Sequence, residues 1–538
     1  MCPRNSSGRI DPTRRGTQAA MQDASLQTDR TRPKILITAE EAFPEFERRV
    51  LAAERNITMA FRIFDPRTKL RSPEGRAVGD TWIDLLGDAL ERGVRIELHI
   101  SDFDPVAATP LHMLCWHSVR VLCGLREMVS PEAAGRLTVH ADIHPAKIGR
   151  IARIFVWPLV AGKMRQIVQE DRGQEASHKR RVLKYVPGVA YLRAKFKGRP
   201  LLAFPASHHQ KLASFDDRWL YIGGLDLNER RWDTKQHEQP AQETWHDVQV
   251  LVDDPDTARS ARRHIETYNH TAAGHHEVAT TPGLLRTLSC DQSHRKPWSL
   301  SPRTLVHELS DTHLRAAAKA EGLIYIETQF FRDRGIARAL AKRARDNPKL
   351  RMILILPAAP ETVAFEESPK LDGRYGDFLQ SQCIRKVRRA FGKRLLIASP
   401  AQPRKTNGDD MDAERASLDG APIIYLHAKA SVFNNELAVV SSANLNGRSM
   451  RWDTEAGLAF RKPEDVAMIR EALFRHWLPD DAPEAAVKLE TAFEEWRSII
   501  YHNSMHPPEQ RRGFLLPYDR KAAEESALPL PGVPEEMV

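Results

Sequence analysis

Two stretches decide the fold: residues 209–224 read HQKLASFDDRWLYIGG, and residues 427–442 read HAKASVFNNELAVVSS. Each opens with His-x-Lys, reaches Asp or Asn after four further residues, and reaches a pair of small residues after six more. A single His-x-Lys is uninformative, because the chain contains 21 histidines. The identical offsets in two places instead indicate an internal repeat that carries a function.

The spacing of His and Lys places both side chains on one face of a strand. Side chains two residues apart along a β-strand point to the same side of the sheet. His209 and Lys211 therefore converge, as do His427 and Lys429, so that an imidazole and an ammonium group can act on one anion. A lone histidine on a strand is usually a core residue, but two matched pairs favour a site.

Each stretch also predicts a hairpin. Asp216 and Asn434 are turn-forming residues that separate two short apolar strands. The small pairs at 223–224 and 441–442 end the second strands, where they allow the backbone to come close to a ligand.

The flanking sequence alternates between strand and helix patterns in both halves. Strand patterns at 57–64 and 94–100 flank an amphipathic helix at 82–92. The second half repeats this order at 323–330, 335–346 and 349–356. Strand, helix and strand in succession predict right-handed βαβ units, and therefore an α/β fold with mixed sheets flanked by helices.

The predicted organisation has five parts. Residues 1–34 form a basic, disordered arm, because they lack apolar periodicity. Residues 35–270 and 304–480 form two α/β halves, each with one copy of the repeat. The polar stretch 271–303 is predicted as a linker, and residues 481–538 as a helix followed by a Pro-rich tail.

Composition excludes several classes of protein. The 538 residues are 41% hydrophobic, which is too apolar for a disordered chain, and no uncharged run approaches the ~20 residues of a membrane span. The N-terminus lacks the apolar core of a cleavable signal peptide. Five cysteines without CxxC spacing argue against a disulfide framework. We therefore predict a cytoplasmic protein, and the net charge of +9 favours anionic partners such as lipid headgroups or nucleic acid.

The repeat resembles the phospholipase D superfamily, whose signature is H-x-K-x4-D followed by a small pair and an Asn. The resemblance covers about residues 38–480. Further segments resemble lipid-cleaving members: YIGGLDL at 221–227, RWDT at 231–234, WHD at 245–247, IYIETQFF at 324–331, SANLNGRSM at 442–450 and DTE at 453–455. The resemblance implies two halves related by a pseudo-twofold axis, with one active site at their interface.

Three positions depart from the family pattern. Asn434 stands where the second motif normally has Asp, and its side chain keeps an acceptor for turn support. Ser441 replaces the usual Gly of the second small pair. Asp226 occupies the Asn position in the first half, as in family members with the GGLDL form.

The resemblance implies a covalent phosphohistidine mechanism. His209 is assigned as the nucleophile and His427 as the general acid and then base, an order taken from the family because the sequence cannot distinguish the two. Lys211 and Lys429 hold the phosphoryl charge, and Asn444 donates an amide hydrogen bond. Elementary chemistry agrees, since such a displacement needs a nucleophile, a proton donor and cations around phosphorus.

The remaining candidates orient the histidines. Each imidazole needs a carboxylate on its other ring nitrogen, and Asp247 and Glu455 match the acidic residues that follow the two motifs. Asp216 and Asn434 complete the predicted catalytic set. Neither HxH nor HExxH occurs, so no metal and no other cofactor is predicted.

Phospholipid at a membrane surface is the favoured substrate, bound peripherally by a protein predicted to be a monomer. The segment 150–165, with Trp and aliphatic residues between Arg and Lys, fits an interfacial anchor as well as a buried insertion. Three alternatives stay open: phosphatidyl transfer to an alcohol as in cardiolipin synthesis, cleavage of nucleic acid, and a non-catalytic binding role.

Overall fold

The computed structural model describes residues 32–155, 157, 161–162, 203–365, 371–411 and 415–538. The predicted arm lies outside the described residues up to position 31, and the first strand already begins at Lys34. Much of the predicted anchor at 150–165 also lies outside them, although residues 150–155 are helical.

The described strands divide between two large sheets and one two-stranded ribbon. They are β1 (Lys34–Ile37), β2 (Asn56–Phe61), β3 (Arg95–Asp102), β4 (Leu137–Ile143), β5 (Leu212–Phe215), β6 (Trp219–Gly223), β7 (Val248–Asp253), β8 (Leu285–Cys290), β9 (Arg303–His307), β10 (Leu323–Thr328), β11 (Arg351–Ile355), β12 (Leu395–Pro400), β13 (Ser417–Leu418), β14 (Ala421–Pro422), β15 (Lys429–Phe433), β16 (Leu437–Ser441), β17 (Glu455–Phe460) and β18 (Leu515–Pro517).

Helices flank both large sheets. Those with defined bounds are α1 (Thr38–Ala52), α2 (Pro73–Arg76), α3 (Trp82–Glu91), α4 (Thr109–Met128), α5 (Pro131–Ala134), α6 (Pro255–Ala272), α7 (Glu308–Lys319), α8 (Arg334–Asp346), α9 (Glu361–Phe365), α10 (Leu371–Phe391), α11 (Gly447–Arg451), α12 (Pro463–Trp477), α13 (Ala492–Ser504) and α14 (Arg520–Ser526). None of the described helices combines the length and apolar character that a bilayer span requires.

The two sheets have the same topology. The first has the order β1-β7-β6-β5-β2-β3-β4, and the second contains β8-β17-β16-β15-β10-β11-β12 between β9 and β18. In both, three neighbouring strands are parallel (β2, β3, β4 and β10, β11, β12) and the pairs leading to the other edge are antiparallel. The internal repeat read from the sequence is therefore a repeat of the whole sheet, and the predicted mixed α/β architecture is confirmed.

This correspondence corrects the predicted linker at 271–303. Strand β8 lies inside that interval and pairs antiparallel with β17, in the place that β1 takes beside β7. Its residues from Arg286 to Cys290 are buried. The polar residues around this short strand hide its pattern in the sequence, and only its pairing with β17 reveals it.

The hairpins form where the turn residues predict them. Asp216 and Asn434 adopt φ angles of +52° and +53°, which Asp and Asn tolerate better than most residues. The strands β5 and β15 before these turns, and the strands β6 and β16 after them, are almost entirely buried. Such strands read as continuous apolar runs because both faces of the sheet are covered.

One apolar core joins the two halves. Leu212 and Val248 from the first sheet lie in the same buried cluster as Ala430 and Val440 from the second, together with Trp477 of α12. The loops at the ends of the motif strands consequently face each other across this shared core. This is the interface at which the repeat places its histidines.

Candidate active site

Short parallel bridges between the halves hold both motif histidines. His208 pairs with Thr454, and Leu426 pairs with His246. The amide of His209 donates to the carbonyl of Thr454 at 2.9 Å, and the amide of His427 donates to the carbonyl of His246 at 2.8 Å. Each histidine backbone is therefore anchored to the other half, and the two bridges obey the same pseudo-twofold relation as the sheets.

The carboxylates are crossed between the halves. His209 Nδ1 lies 3.0 Å from Glu455 Oε1, and His427 Nδ1 lies 2.6 Å from Asp247 Oδ2. All four side chains are buried or nearly so. A carboxylate on Nδ1 fixes the orientation of the ring and directs Nε2 away from it. The residues that follow each motif thus orient the histidine of the other motif.

The small pairs make room for these carboxylates. A Cβ at Gly224 would lie 2.1 Å from Asp247 Oδ1, and one at Gly223 would lie 1.8 Å from Gln249 Oε1. In the second half the hydroxyl of Ser442 donates to Glu455. The pairs were expected to let the backbone approach a ligand. Instead they leave room for Asp247, which directly precedes β7, and for Glu455, the first residue of β17.

The two motif lysines lie behind the histidines. Lys211 Nζ donates to the carbonyl of His209 at 2.6 Å and lies 3.7 Å from Asp226 Oδ1. Lys429 Nζ donates to the carbonyl of His427 and lies 2.7 Å from its Nδ1. Both lysines are buried, and neither lines the cavity described next.

A cavity of about 350 Å³ opens at the interface and is lined by His209, His427 and Asn444. Asn444 is buried, and its Oδ1 has no hydrogen-bond partner among the described residues. We refer to this interface cavity as the central cavity. The predicted cluster of histidines and Asn444 is thus assembled around one shared space.

Four arginines that the sequence analysis did not select line the central cavity: Arg62, Arg231, Arg332 and Arg448. Within the described chain, neither Arg231 nor Arg332 forms a salt bridge; instead the Arg231 guanidinium lies 3.6 Å from the ring centre of Trp245, and that of Arg332 lies 3.8 Å from that of Phe330. Arg62 directly follows β2. Arg231 and Arg448 belong to segments already noted for family resemblance, which is the signal that could have identified them.

Burial and the clustered cations set the protonation of the site. Burial, reinforced by Lys211, lowers the pKa of His209 well below its ordinary value, and burial with Lys429 does the same for the pKa of His427. Burial also lowers the pKa of Lys429 to about 7 and raises the pKa of Glu455 to about 8. Neutral imidazoles are therefore favoured while the cavity holds no anion.

Asp216 and Asn434, predicted as catalytic, lie at the opposite ends of their strands and do not line the central cavity. The Asp216 carboxylate accepts hydrogen bonds from the amides of Glu54, Arg55 and Asn56. Asn434 Oδ1 accepts from the amide of Gly322 at 2.9 Å. These residues anchor the hairpin turns to the neighbouring strand, so the catalytic assignment is corrected to a structural one. Asn434 can stand where the first motif has Asp216, because its amide oxygen supplies the acceptor for the Gly322 amide.

The last described residues form part of the cavity rim. Met537 and Val538 line the central cavity, and Asn446 Nδ2 donates to the carbonyl of Val538 at 3.1 Å. Arg451 forms salt bridges with Glu535 and Glu536 at 2.6 and 2.7 Å. The Pro-rich tail therefore folds back onto the second motif.

Comparison with known proteins finds a matching family model and a curated relative. Residues 314–477 match the family model described as "Cardiolipin synthase, PLD-like domain". Phospholipase D1 of Schizosaccharomyces pombe is 23% identical over 380 residues, which are 53% of this chain and 26% of the relative. The chain thus spans about a quarter of the length of that curated relative.

Two solved structures align with most of this chain. Phosphatidylserine synthase of Haemophilus influenzae Rd KW20 aligns with a TM-score of 0.49 at 12% identity, over 94% of this chain and 96% of the other. Polyphosphate kinase of Porphyromonas gingivalis aligns with a TM-score of 0.40 at 10% identity, over 82% of this chain and 49% of the other.

The repeated motifs, the family model and the curated relative together support the phospholipase D superfamily as the class of this chain. The same similarities support an enzyme that acts on phosphodiester bonds.

Proposed function

We propose that this protein cleaves the headgroup phosphodiester of glycerophospholipids through a covalent phosphohistidine, and releases phosphatidic acid or a phosphatidyl-alcohol. The observation that carries the proposal is the pair of crossed contacts, His209 with Glu455 and His427 with Asp247, on one cavity lined by arginines. Two oriented imidazoles facing one space are what a two-step displacement at phosphorus requires.

In the first step, Nε2 of His209 attacks phosphorus and the bond from phosphorus to the headgroup oxygen breaks. His427 donates a proton to that oxygen, so the headgroup leaves as a neutral alcohol. Burial favours neutral His209, whose lone pair is then free to attack. His427 must be protonated first; the anionic substrate raises its pKa by offsetting the positive charges of Lys429 and Arg231.

In the second step, water or an alcohol attacks the phosphohistidine. His427 Nε2, now neutral, accepts the proton of the attacking oxygen as the bond between phosphorus and His209 breaks. Asp247 supports the imidazolium that forms, because its carboxylate lies 2.6 Å from Nδ1. Both steps use the same pair of rings in reversed roles, and no metal is needed for the proton transfers.

The positive charge around the cavity favours an anionic substrate. Arg231 and Arg332 lack carboxylate partners among the described residues and are available to the non-bridging oxygens. Lys211 and Lys429 add charge from behind the histidines. Such donors stabilise the charge that develops on phosphoryl oxygens, and they act more strongly in a site shielded from water.

Binding at a lipid surface is supported by exposed apolar side chains near the described helical residues 150–155. Ile154 is 61% exposed and Phe155 is 79% exposed, and the neighbouring Trp298 is 67% exposed. The amide of Ile151 donates to the carbonyl of Pro297, which holds the Trp298 loop against this helix. Apolar and Trp residues beside basic ones suit the membrane interface.

The test uses mixed phospholipid vesicles with a primary alcohol present. We expect wild type to release phosphatidic acid and phosphatidyl-alcohol, and His209→Ala and His427→Ala to release neither. His307→Ala, a change at a histidine whose side chain is 56% exposed, serves as the matched control and should retain activity. Brief addition of EDTA should leave the rate unchanged. Absence of lipid turnover by a folded wild type would overturn the proposal.

Transfer to an alcohol is the second candidate, since the description of the family model that matches residues 314–477 names cardiolipin synthase. The ratio of phosphatidyl-alcohol to phosphatidic acid separates transfer from hydrolysis. A protein that is inactive on lipid but cleaves nucleic acid, with loss in both histidine variants, would instead favour the nuclease alternative.

A further inference from the structure

A second histidine cluster lies behind the catalytic one and has no part in the proposed reaction. It comprises His237 and His246 of the first half and His476 of α12 in the second half. One ring nitrogen of each lies within 4.8 Å of the others, and the Nε2 atoms of His237 and His476 are 3.1 Å apart. His237 and His246 are fully buried, and His476 is partly buried.

The orientation of His237 is fixed by a carboxylate. Its Nδ1 lies 2.6 Å from Asp233 Oδ2, which also accepts from the amide of Trp245. The Nδ1 proton is therefore engaged, and the Nε2 lone pair faces His476. A carboxylate on the distal nitrogen is the usual support of a histidine that binds a metal.

Two further groups in the cluster lack hydrogen-bond partners. Both ring nitrogens of His246 are buried without a partner among the described residues, and so is Glu327 Oε1. The latter lies 3.6 Å from His246 Nε2. The other Glu327 oxygen accepts from the hydroxyl of Tyr325 and from Trp477 Nε1, so the carboxylate is held with one oxygen toward the histidines.

Buried polar atoms are nearly always satisfied. A cation at the centre of this cluster would give a partner to one ring nitrogen of His246 and to Glu327 Oε1. We propose that His237, His246 and His476 bind one divalent transition-metal ion of the zinc type. Glu327, whose Oε1 lies 3.6 Å from His246 Nε2 but outside the group of three, would move toward the ion to supply the fourth ligand. Three imidazoles and one carboxylate form a closed four-ligand set, which is typical of structural zinc sites. Ligand atoms in such a tetrahedron are about 3.3 Å apart, close to the observed His237–His476 separation.

The position indicates a structural role. The ion would join the loop that carries His237 and His246 to β10 and α12 of the second half. His246 directly precedes Asp247, and its carbonyl accepts from the amide of His427. The site would therefore brace the bridge that brings Asp247 to His427, without contacting the phosphodiester. It lies outside the central cavity.

The chain offers a matched control in another histidine cluster. His99 Nε2 and His140 Nε2 lie 3.0 and 3.4 Å from the same oxygen of Glu97. The Nε2 atom of each ring can donate to that carboxylate, so these two nitrogens and the Glu97 oxygen are paired without a cation, and only His99 Nδ1 of this group is buried without a partner among the described residues. This cluster also lies on the neighbouring strands β3 and β4 of one half, whereas the proposed site joins both halves.

The experiment measures metal bound by the untagged full chain. The protein is incubated with Zn²⁺, dialysed into metal-free buffer, and analysed by mass spectrometry of the elements. We expect about one zinc per chain in wild type and in His140→Ala, and less than a tenth of that in His476→Ala. His476 is changed because it is the least buried ligand; circular dichroism verifies that the variant is folded.

Substitution with Co²⁺ provides a second test of the same site. Co²⁺ should give the visible absorption of a tetrahedral nitrogen and oxygen site in wild type and not in His476→Ala or His476→Gln. Folded wild type without bound zinc, or equal loss of zinc in His140→Ala, would overturn the proposal. Metal content is read independently of phosphodiesterase activity, so failure of the proposed function would leave this result unaffected.

Discussion

The carboxylate of Glu455 lies 3.0 Å from Nδ1 of His209, although the two residues belong to different halves of the chain. The reciprocal contact joins Asp247 to His427 at 2.6 Å. Neither half therefore contains both a motif histidine and the carboxylate that orients it. One chain with both halves supplies both motif histidines and the carboxylates that orient them.

The crossed pairs predict that removal of one carboxylate charge affects catalysis through the opposite half. Asp247→Asn should lower kcat/KM by about 10²–10⁴, because the amide no longer stabilises an imidazolium at His427. Steady-state lipid turnover measures this effect. The exposed Asp256→Asn is the control and should behave as wild type; an unchanged rate in Asp247→Asn would contradict the crossed arrangement.

Stability should depend on pH through Glu455. Burial raises the pKa of this carboxyl to about 8, whereas an unfolded glutamate titrates near 4.5. Between these values the unfolded chain releases a proton that the native protein retains, so this group stabilises fully below about pH 4.5 and its contribution is lost as pH rises toward 8. The contribution changes by about 1.4 kcal/mol per pH unit between these pKa values.

Glu455→Gln removes this titration. The free energy of unfolding of the variant should therefore rise relative to wild type between pH 5 and pH 8. Urea denaturation at both pH values measures the difference. The same difference between the two proteins at both pH values would show that Glu455 is not the titrating group.

Because Asp216 anchors a turn, its substitution should lower the stability of the protein and leave its activity nearly unchanged. Asp216→Ala removes the acceptor for three backbone amides and should lower the free energy of unfolding by about 2 kcal/mol. Specific activity of the folded variant should stay within about twofold of wild type. Asn434→Asp, which keeps an acceptor for Gly322, is the control for both readings. A large loss of kcat in folded Asp216→Ala would restore its catalytic assignment.

The cavity arginines should act on an anionic substrate. Arg231→Ala should lower kcat/KM by about 10–100-fold, because a charge-assisted hydrogen bond to a phosphoryl oxygen is lost. Arg218→Ala is the matched control, since Arg218 pairs with Asp253 on the surface. Equal effects of the two changes would contradict a specific role for Arg231.

The covalent intermediate should accumulate when its breakdown is slowed. His427→Gln lacks the base for the attacking water, so a substrate with a good leaving group should label His209 with the phosphatidyl group. Mass spectrometry of peptides from an acid-free quench locates the label. His209→Gln should carry none, and label on any other residue would overturn the nucleophile assignment.

Much of the molecule could be predicted from the sequence because it depends on local rules. The matched spacing after His209 and His427 identified the motif strands, and Asp216 and Asn434 identified the turns. Each of these features is set by strand alternation or by the backbone preferences of one or two residues. The βαβ order likewise follows from apolar periodicity within short segments.

Only the tertiary structure decided which carboxylate meets which histidine, where the cations lie and how the edge of the second sheet is built. Those contacts join Glu455 to His209, Arg332 to the cavity and β8 to β17 across long stretches of chain. They depend on how two sheets pack over a shared core, and no local pattern encodes that packing. The sequence by itself determined the repeated unit and its chemistry; the pairing of the two units assembled the site.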